Sequence, residues 1–291
     1  MPFPFLGENK ELDESIRKEA AGSFIQLTDG VTHYELGGPE TGESVVLVHG
    51  FSGPYFIFDP TFEFLTKAGF RVLRYDLFGR GYSDRPHVPY DIHLFVRQLK
   101  DLLDELNFRQ VHFIGLSLGG PITACFIQQY PEYMKKYVLI DPAGAKQTVP
   151  PWPFNLLKLP ILGELALGLF GNAGMVKNIA SDRIDVGLVD HFRLQFKIQM
   201  QFKGFKQAIL STLRNHMLDS FLETYQFVGR LNKPTLLFWG KNDTTAPFEN
   251  SKIITEAIPQ TEFYAIENSG HIPHYEQPDV VNKILLGFLL K

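Results

Sequence analysis

Short, almost uninterrupted apolar runs recur along this chain and alternate with segments of helical periodicity. Runs of this kind are typical of strands covered on both faces, as in a parallel sheet. Between them, apolar side chains recur at helical spacing from Ile92 to Leu106 and from Val280 to Phe288. Strands alternating with helices predict an α/β fold with a mostly parallel sheet, whose first two strands pair as a hairpin across Asp29-Gly30. The eight predicted strands are Phe24–Thr28, Val31–Leu36, Val45–Val48, Arg71–Tyr75, Val111–Ile114, Tyr137–Ile140, Thr235–Trp239 and Glu262–Ile266.

The alternation stops between about Gly144 and Gly229, which reads as helices with no clear strand. An insertion of this size, directly after the strand that ends at Asp141, predicts a helical cap. We call residues 144–229 the cap segment, inserted into an α/β core of residues 1–143 and 230–291. The alternative is a pair of extra packing helices that contact no substrate. Apolar residues near its start predict one wall of an apolar pocket: Phe154, Leu156, Leu157, Leu159, Ile161 and Leu162.

Composition excludes several classes of protein. Among 291 residues, 44% are apolar and 21% charged, with a net charge of −4, which is typical of a globular protein and not of a nucleic-acid binder. Cys125 is the one cysteine, so no internal disulfide can form, and its position predicts a buried side chain. No signal peptide is apparent, and the most apolar window, residues 154–170, is too short to span a bilayer comfortably. We therefore expect a cytoplasmic protein without stable membrane insertion; the pattern does not determine its oligomeric state.

The segment Gly115–Gly119 (GLSLG) places Ser117 between a predicted strand and a predicted helix. A sharp strand-to-helix turn of this kind is the nucleophile elbow, which holds a serine in a strained backbone conformation at the carboxyl edge of a sheet. The flanking glycines are required because a Cβ at either position would clash. Ser117 is therefore the candidate nucleophile.

A serine hydroxyl needs a base, and the base needs an acid to orient it. His271 follows the last predicted strand and lies at the same sheet edge as Ser117; the nearby His274 is expected to face elsewhere. Asp243 follows the preceding strand, so serine, acid and histidine occur in the chain order expected of this arrangement. Asp141, at the end of another strand, is the rival acid.

A tetrahedral intermediate also needs donors for its oxyanion. The backbone N–H of Leu118, directly after the serine, is one candidate. The other is the N–H of Phe51, in the loop that follows the strand ending at Val48 and the pair His49-Gly50. We call residues 51–54 the oxyanion loop. His49 is expected to orient this loop rather than to act in catalysis.

Together these segments resemble the α/β-hydrolase family over nearly the whole chain outside the cap segment. The resemblance implies Ser117 as nucleophile, Asp243 as acid, His271 as base, and Phe51 and Leu118 as oxyanion donors. It also implies no metal, no organic cofactor and structural roles for Asp76 and Arg80. The matching segments are His49–Gly53 (HGFSG), Asp76–Asp84 (DLFGRGYSD), Gly115–Gly120 (GLSLGG), Gly240–Asp243 (GKND) and Ser269–His271 (SGH).

Family membership does not determine the reaction. A serine at position 117 disfavours dehalogenases and epoxide hydrolases of this fold, which need a carboxylate nucleophile. The default interpretation is a carboxylesterase acting on small to medium hydrophobic esters, because ester hydrolysis requires no residue beyond the triad and the oxyanion donors already identified. The alternative is a carbon–carbon hydrolase of dienoic ring-cleavage products, although such enzymes usually carry a longer glycine-rich loop with asparagine and an aromatic residue where this chain has Ile272. A peptidase that binds a free amine would need acids in the cap segment, and the available ones are Glu164, Asp182, Asp185 and Asp190. A non-catalytic receptor of the same fold would not need the complete set of serine, acid, histidine and oxyanion donors.

Overall fold

The computed structural model describes residues 5–147, 154–168 and 186–291, with backbone alone at 154 and 186–190. One sheet of eight strands forms its centre, and it confirms the predicted α/β-hydrolase architecture. The strands are β1 (Ser23–Leu27), β2 (Gly30–Gly37), β3 (Ser44–Val48), β4 (Arg71–Tyr75), β5 (Val111–Leu116), β6 (Met134–Ile140), β7 (Thr235–Gly240) and β8 (Thr261–Ile266). Their order is β1-β2-β4-β3-β5-β6-β7-β8. Only β2 runs antiparallel to its neighbours, as the Asp29-Gly30 turn predicts.

Helices cover both faces of the sheet. They are α1 (Glu14–Glu19), α2 (Asp59–Lys67), α3 (Ile92–Glu105), α4 (Gly119–Gln129), α5 (residues 162–168), α6 (Val186–Gln199), α7 (Phe205–Arg214), α8 (Leu222–Arg230), α9 (Asn250–Ala257), α10 (Pro273–Glu276) and α11 (Pro278–Leu290). Short 3₁₀ turns occur at Tyr55–Phe58, Pro131–Tyr133 and Phe154–Lys158. Within the described parts of the chain, no helix combines the length and the apolar character needed to cross a bilayer.

Strand β3 shows how the sequence produces two cores. Val46 and Val48 pack into the layer that holds α3, α4, α8 and α9. Val45 and Leu47 pack into the layer that holds α2 and α11, together with buried side chains of α6 and α7. All four side chains are fully buried, because successive side chains of a strand point to opposite faces. The continuous apolar run therefore fits a strand covered on both sides.

The described part of the cap segment is helical, and its aromatic residues pack inward. Phe192, Phe196, Phe202 and Phe205 are all buried, as expected of helices with one packed face. Helix α8 packs against α4 and α9, beside the sheet. Helix α6 instead contacts the oxyanion loop, at the carboxyl edge of the sheet, and α7 is linked to that loop through Arg80.

Residues 5–11, which we call the N-terminal strap, form hydrogen bonds with the start of α7 and with the residues just before it. The carboxylate of Glu8 accepts the N–H groups of Gly204, at 2.8 Å, and Lys206, at 2.6 Å, at the start of that helix. The backbone of Lys10 forms hydrogen bonds of 2.9 Å with Gln201 and Lys203. The N–H groups at the start of α7 thus find their acceptor in a residue near the N-terminus of the chain.

Candidate active site

Ser117 adopts the strained backbone that the elbow motif predicts. Its φ is +50°, in the left-handed region that side chains rarely adopt. A Cβ on Gly115 would lie 2.6 Å from the carbonyl oxygen of Gly119, and a Cβ on Gly119 would lie 2.0 Å from that of Val48. The clash expected at both flanking positions is therefore confirmed. The strain is held by the neighbouring strand, because Ser117 N–H donates to the carbonyl of Ile140 at 3.0 Å.

The two partners expected for Ser117 meet across the ends of β7 and β8. Nδ1 of His271 lies 2.7 Å from Oδ2 of Asp243, and the other carboxylate oxygen accepts the N–H groups of Thr245, at 2.7 Å, and Ala246, at 3.0 Å. Burial alone would raise the pKa of Asp243, but His271 and these donors outweigh it and lower the pKa below its usual value. An ionised Asp243 holds the proton of His271 on Nδ1, which leaves Nε2 free to act as a base.

The second bond of a triad, from the Ser117 hydroxyl to Nε2 of His271, is not formed in the described structure. Catalytic hydrogen bonds are often long in the absence of substrate and shorten when it binds. The Ser117 side chain lies against Gly50, directly before the oxyanion loop, since a Cβ on Gly50 would be 3.1 Å from the Cβ of Ser117. His274, the neighbouring histidine, is fully buried and lies 3.1 Å from the carbonyl of Ile57, away from this group.

Asp141, the rival acid, lies at the same site but does not hold the histidine. It ends β6 with a φ of +42°, and its Oδ1 accepts the N–H of Gly240 at 2.9 Å. One ligand atom each from Asp141, Asp243 and His271 lie within 4.8 Å of one another. His271 and Asp243 are already hydrogen-bonded to each other, so the three residues are not a set of free metal ligands. The absence of a metal or organic cofactor stays a prediction.

The two proposed oxyanion donors are both available. Among the described residues, the N–H groups of Phe51 and Leu118 donate to no other group. Nε2 of His49 accepts the N–H of Leu77 at 2.9 Å, so its proton is on Nδ1, which donates to the carbonyl of Gly50 at 2.8 Å. That carbonyl and the N–H of Phe51 belong to one peptide group, so His49 orients the donor. Burial lowers the pKa of His49 to about 4, which keeps the ring neutral.

Two further side chains hold the oxyanion loop, and sequence reasoning missed both. Nε of Arg80 donates to the carbonyl of Phe51 at 2.8 Å, and its Nη2 donates to Thr212 of α7 at 2.9 Å. Nε2 of Gln199, in α6, donates to the carbonyl of Ser52 at 2.8 Å. Arg80 stood in a family motif but was assigned a structural role, and no pattern marks Gln199. The two side chains connect the cap helices to the loop that carries one oxyanion donor.

Aromatic side chains cover the oxyanion loop from the cap side. Phe192 packs edge-on against Phe56 at 5.0 Å and against Tyr275 at 5.8 Å, and a Cβ on Gly53 would lie 3.5 Å from it. Ile272 packs against the same apolar cluster. The region above the site is therefore apolar.

Part of the predicted pocket wall lies on the surface. Leu159, Ile161 and Leu162 are 48%, 71% and 51% exposed. Of these, Ile161 lines a cavity of about 600 Å³ between Pro160 and Tyr90, but none of the predicted catalytic residues lines that cavity. A wall beside Ser117 stays a prediction.

Of the four cap acids considered for amine binding, Glu164 is the one whose side chain is described. Glu164 pairs with Arg214 at 2.6 Å. Asp182, Asp185 and the side chain of Asp190, like the side chain of Phe154, lie outside the described residues.

Comparisons with known proteins agree with this fold. Residues 45–284 match the Alpha/beta hydrolase family. Over 296 residues the chain is 26% identical to 2-hydroxy-6-oxononadienedioate/2-hydroxy-6-oxononatrienedioate hydrolase 1 of Pseudomonas putida, covering 94% of this chain and 99% of that enzyme. A bromoperoxidase from Bacillus anthracis superposes with a TM-score of 0.80 at 24% identity, covering 93% of this chain and 100% of that one. Carboxylesterase CesB from Bacillus subtilis superposes with a TM-score of 0.77 at 23% identity, covering 93% of this chain and 92% of that one. At such identities the solved structures establish the fold alone.

Proposed function

This chain belongs to the Alpha/beta hydrolase family, and we propose that it is a serine hydrolase with Ser117 as nucleophile, His271 as base and Asp243 as acid. The observation that carries the proposal is the 2.7 Å bond between His271 and Asp243, at the same sheet edge as the strained Ser117. The unengaged N–H groups of Phe51 and Leu118 supply the oxyanion hole.

The reaction proceeds in two halves. Nε2 of His271 takes the proton of Ser117 as the hydroxyl oxygen attacks a carbonyl carbon, and the oxyanion accepts hydrogen bonds from Phe51 and Leu118. The intermediate collapses, and the leaving group takes the proton from His271. Water, deprotonated by the same imidazole, then attacks the acyl-enzyme and releases a carboxylic acid. Asp243 stabilises the imidazolium in both halves.

For the substrate, we propose a dienoic ring-cleavage product that is split at a carbon–carbon bond. The curated relatives, which are nearly full-length matches named as 2-hydroxy-6-oxononadienedioate hydrolases, support this alternative better than the ester expected from sequence. In such a substrate the enol proton must first move to C5, which gives the 2-oxo tautomer. The electron pair of the broken bond then passes through the conjugated double bond to the 2-oxo group, and the resulting dienolate is protonated on oxygen. Arg80 adds a buried positive charge beside the oxyanion loop; burial lowers its pKa to about 9, so the guanidinium stays charged at neutral pH and favours anionic species there.

A carboxylic ester is the second candidate, and a specific observation favours it. The oxyanion loop is short, and Ile272 occupies the position after the histidine where an aromatic residue is usual in the carbon–carbon hydrolases. The aromatic and aliphatic side chains above the loop, including Phe192, suit a hydrophobic acyl or alcohol group. An ester needs no delocalised leaving group, because the alkoxide takes its proton directly from His271.

One substrate panel tests both candidates. The parent protein and the Ser117→Ala variant are assayed with p-nitrophenyl esters of graded chain length and with a 2-hydroxy-6-oxo-dienoic acid. A kcat/KM at least about tenfold higher for the dienoic acid supports carbon–carbon hydrolysis, and the reverse order supports an esterase. Labelling by a fluorophosphonate probe without turnover of any substrate would indicate a receptor. Parent rates in Ser117→Ala would refute the assignment of the nucleophile.

A further inference from the structure

The proposed mechanism assigns no role to Oδ2, the second carboxyl oxygen of Asp141. The residue is fully buried at the end of β6, and its Oδ1 accepts the N–H of Gly240. Its Oδ2 is buried without a hydrogen-bond partner in the described structure. A buried polar atom without a partner costs about 1–3 kcal/mol, so an arrangement that satisfies it is favoured.

The groups around this oxygen are themselves titratable. Asp141, Asp243 and His271 place ligand atoms within 4.8 Å of one another. Two carboxylates so close to each other cannot both ionise without a large penalty. Glu276, on α10, adds negative charge nearby, although its own carboxylate accepts the N–H of Gly270 at 2.6 Å.

The donors decide which carboxyl carries the proton. Asp243 accepts three hydrogen bonds, from His271, Thr245 and Ala246, and each of them favours its ionised form. Asp141 accepts only the one from Gly240. Burial, and then the charge of Asp243, raise the pKa of Asp141 well above its usual value. Both the geometry and the electrostatics therefore place the proton on Asp141.

We propose that Asp141 is a positioning residue that stays neutral and donates its carboxyl O–H to the carboxylate of Asp243. This inference rests on the proposed role of Asp243 as the acid of the triad. No bond to substrate forms or breaks at Asp141. Its O–H spreads the negative charge of Asp243 and fixes the orientation of that carboxylate, and its neutrality keeps a second negative charge away from His271.

Two substitutions separate this role from a purely structural one. Asp141→Asn keeps the size, the neutral charge, the acceptor for Gly240 and an N–H donor toward Asp243. We expect it to retain the parent pH profile of kcat/KM. Asp141→Ala removes the donor and leaves the charge of Asp243 more concentrated, so the acidic limb should move up by about one pH unit as the imidazolium is stabilised. At a pH on that limb, this shift corresponds to about a tenfold loss of kcat/KM that Asn rescues.

Several results would overturn the proposal. An acidic limb that moves down in Asp141→Asn would mean that the parent residue is ionised. An Asp141→Ala protein with a native circular dichroism spectrum and the parent pH profile would mean that Asp141 only packs.

Infrared difference spectroscopy of parent minus Asp141→Asn at neutral pH gives a readout independent of turnover and of how the alanine variant folds. We expect the carbonyl stretch of a neutral carboxylic acid in the parent, and its absence would refute the proposal. If the parent shows this band but hydrolyses nothing in the panel, the proposed function fails while the protonation of Asp141 stands.

Discussion

Gly119 offers a sharp test of the elbow. In Gly119→Ala the new Cβ would lie 2.0 Å from the carbonyl oxygen of Val48 and 3.0 Å from that of His49. Both are backbone atoms that cannot rotate away, so the start of α4 must move away from the end of β3. Overpacking of this kind costs about 1–3 kcal/mol, which exceeds the helix propensity that alanine gains. For a chain of 291 residues the entropy of unfolding is about 0.6 kcal/mol/K, so Tm should fall by about 2–5 °C.

The same displacement should affect catalysis more than stability. It separates the N–H of Leu118 from the N–H of Phe51, and the loss of one oxyanion donor typically lowers kcat by about 10²–10³-fold. Gly287→Ala is the matched control, because it lies in α11 and its Cβ would meet no atom within 4 Å. Alanine there should stabilise the helix by up to about 1 kcal/mol, raising Tm by up to about 2 °C with kcat unchanged.

Thermal unfolding followed by circular dichroism and steady-state kinetics on the best substrate of the panel measure both effects. A Gly119→Ala protein with the parent Tm and the parent kcat would refute the packing argument. Equal losses in the two glycine variants would show that the effect is not specific to the elbow.

Three other predictions follow from the site. Ser117→Ala should fold normally, as judged by circular dichroism, and lose nearly all turnover; hydrolysis of an activated ester at the parent rate would contradict it. Gln199→Ala removes the hydrogen bond to the carbonyl of Ser52, so kcat should fall about tenfold, which corresponds to about one hydrogen bond. An unchanged kcat would show that the oxyanion loop keeps its conformation without Gln199. Burial lowers the pKa of His49 to about 4 and of His274 to about 3. From pH 6.5 to 5 the unfolded chain therefore binds protons that the folded chain does not, and each histidine should lower the free energy of unfolding by up to about 2 kcal/mol. Urea denaturation of the parent at several pH values measures this loss, and the His274→Gln variant should lack the part that His274 contributes. A free energy of unfolding that does not change between pH 6.5 and 5 would contradict the prediction.

Local sequence patterns predicted most of the framework. The turn at Asp29-Gly30 predicted the hairpin, and the stripe from Ile92 to Leu106 predicted α3, because both signals come from residues close together in the chain. The bond between Asp243 and His271 was anticipated from chain order, since consecutive parallel strands end at the same edge.

Long-range contacts were beyond such patterns. Gln199 reaches the oxyanion loop, and Thr212 reaches Arg80, only because the cap helices dock beside that loop, and nothing near these residues in sequence indicates the docking. The position of Asp141 at the sheet edge was predictable, but the approach of its carboxyl to Asp243 depends on the strained backbone at the end of β6. Sequence alone favoured an ester for another reason: an ester requires the fewest special residues, whereas the curated relatives support the carbon–carbon alternative better.

The N-terminal strap has a practical consequence for anyone who handles this protein. Glu8 supplies the acceptors for the first turn of α7, and Thr212 of the same helix contacts Arg80 behind the oxyanion loop. Proteolytic clipping near Glu11 would therefore remove these acceptors and weaken the support behind the oxyanion loop, while leaving the central sheet intact. Turnover measured on clipped and intact preparations should not be pooled.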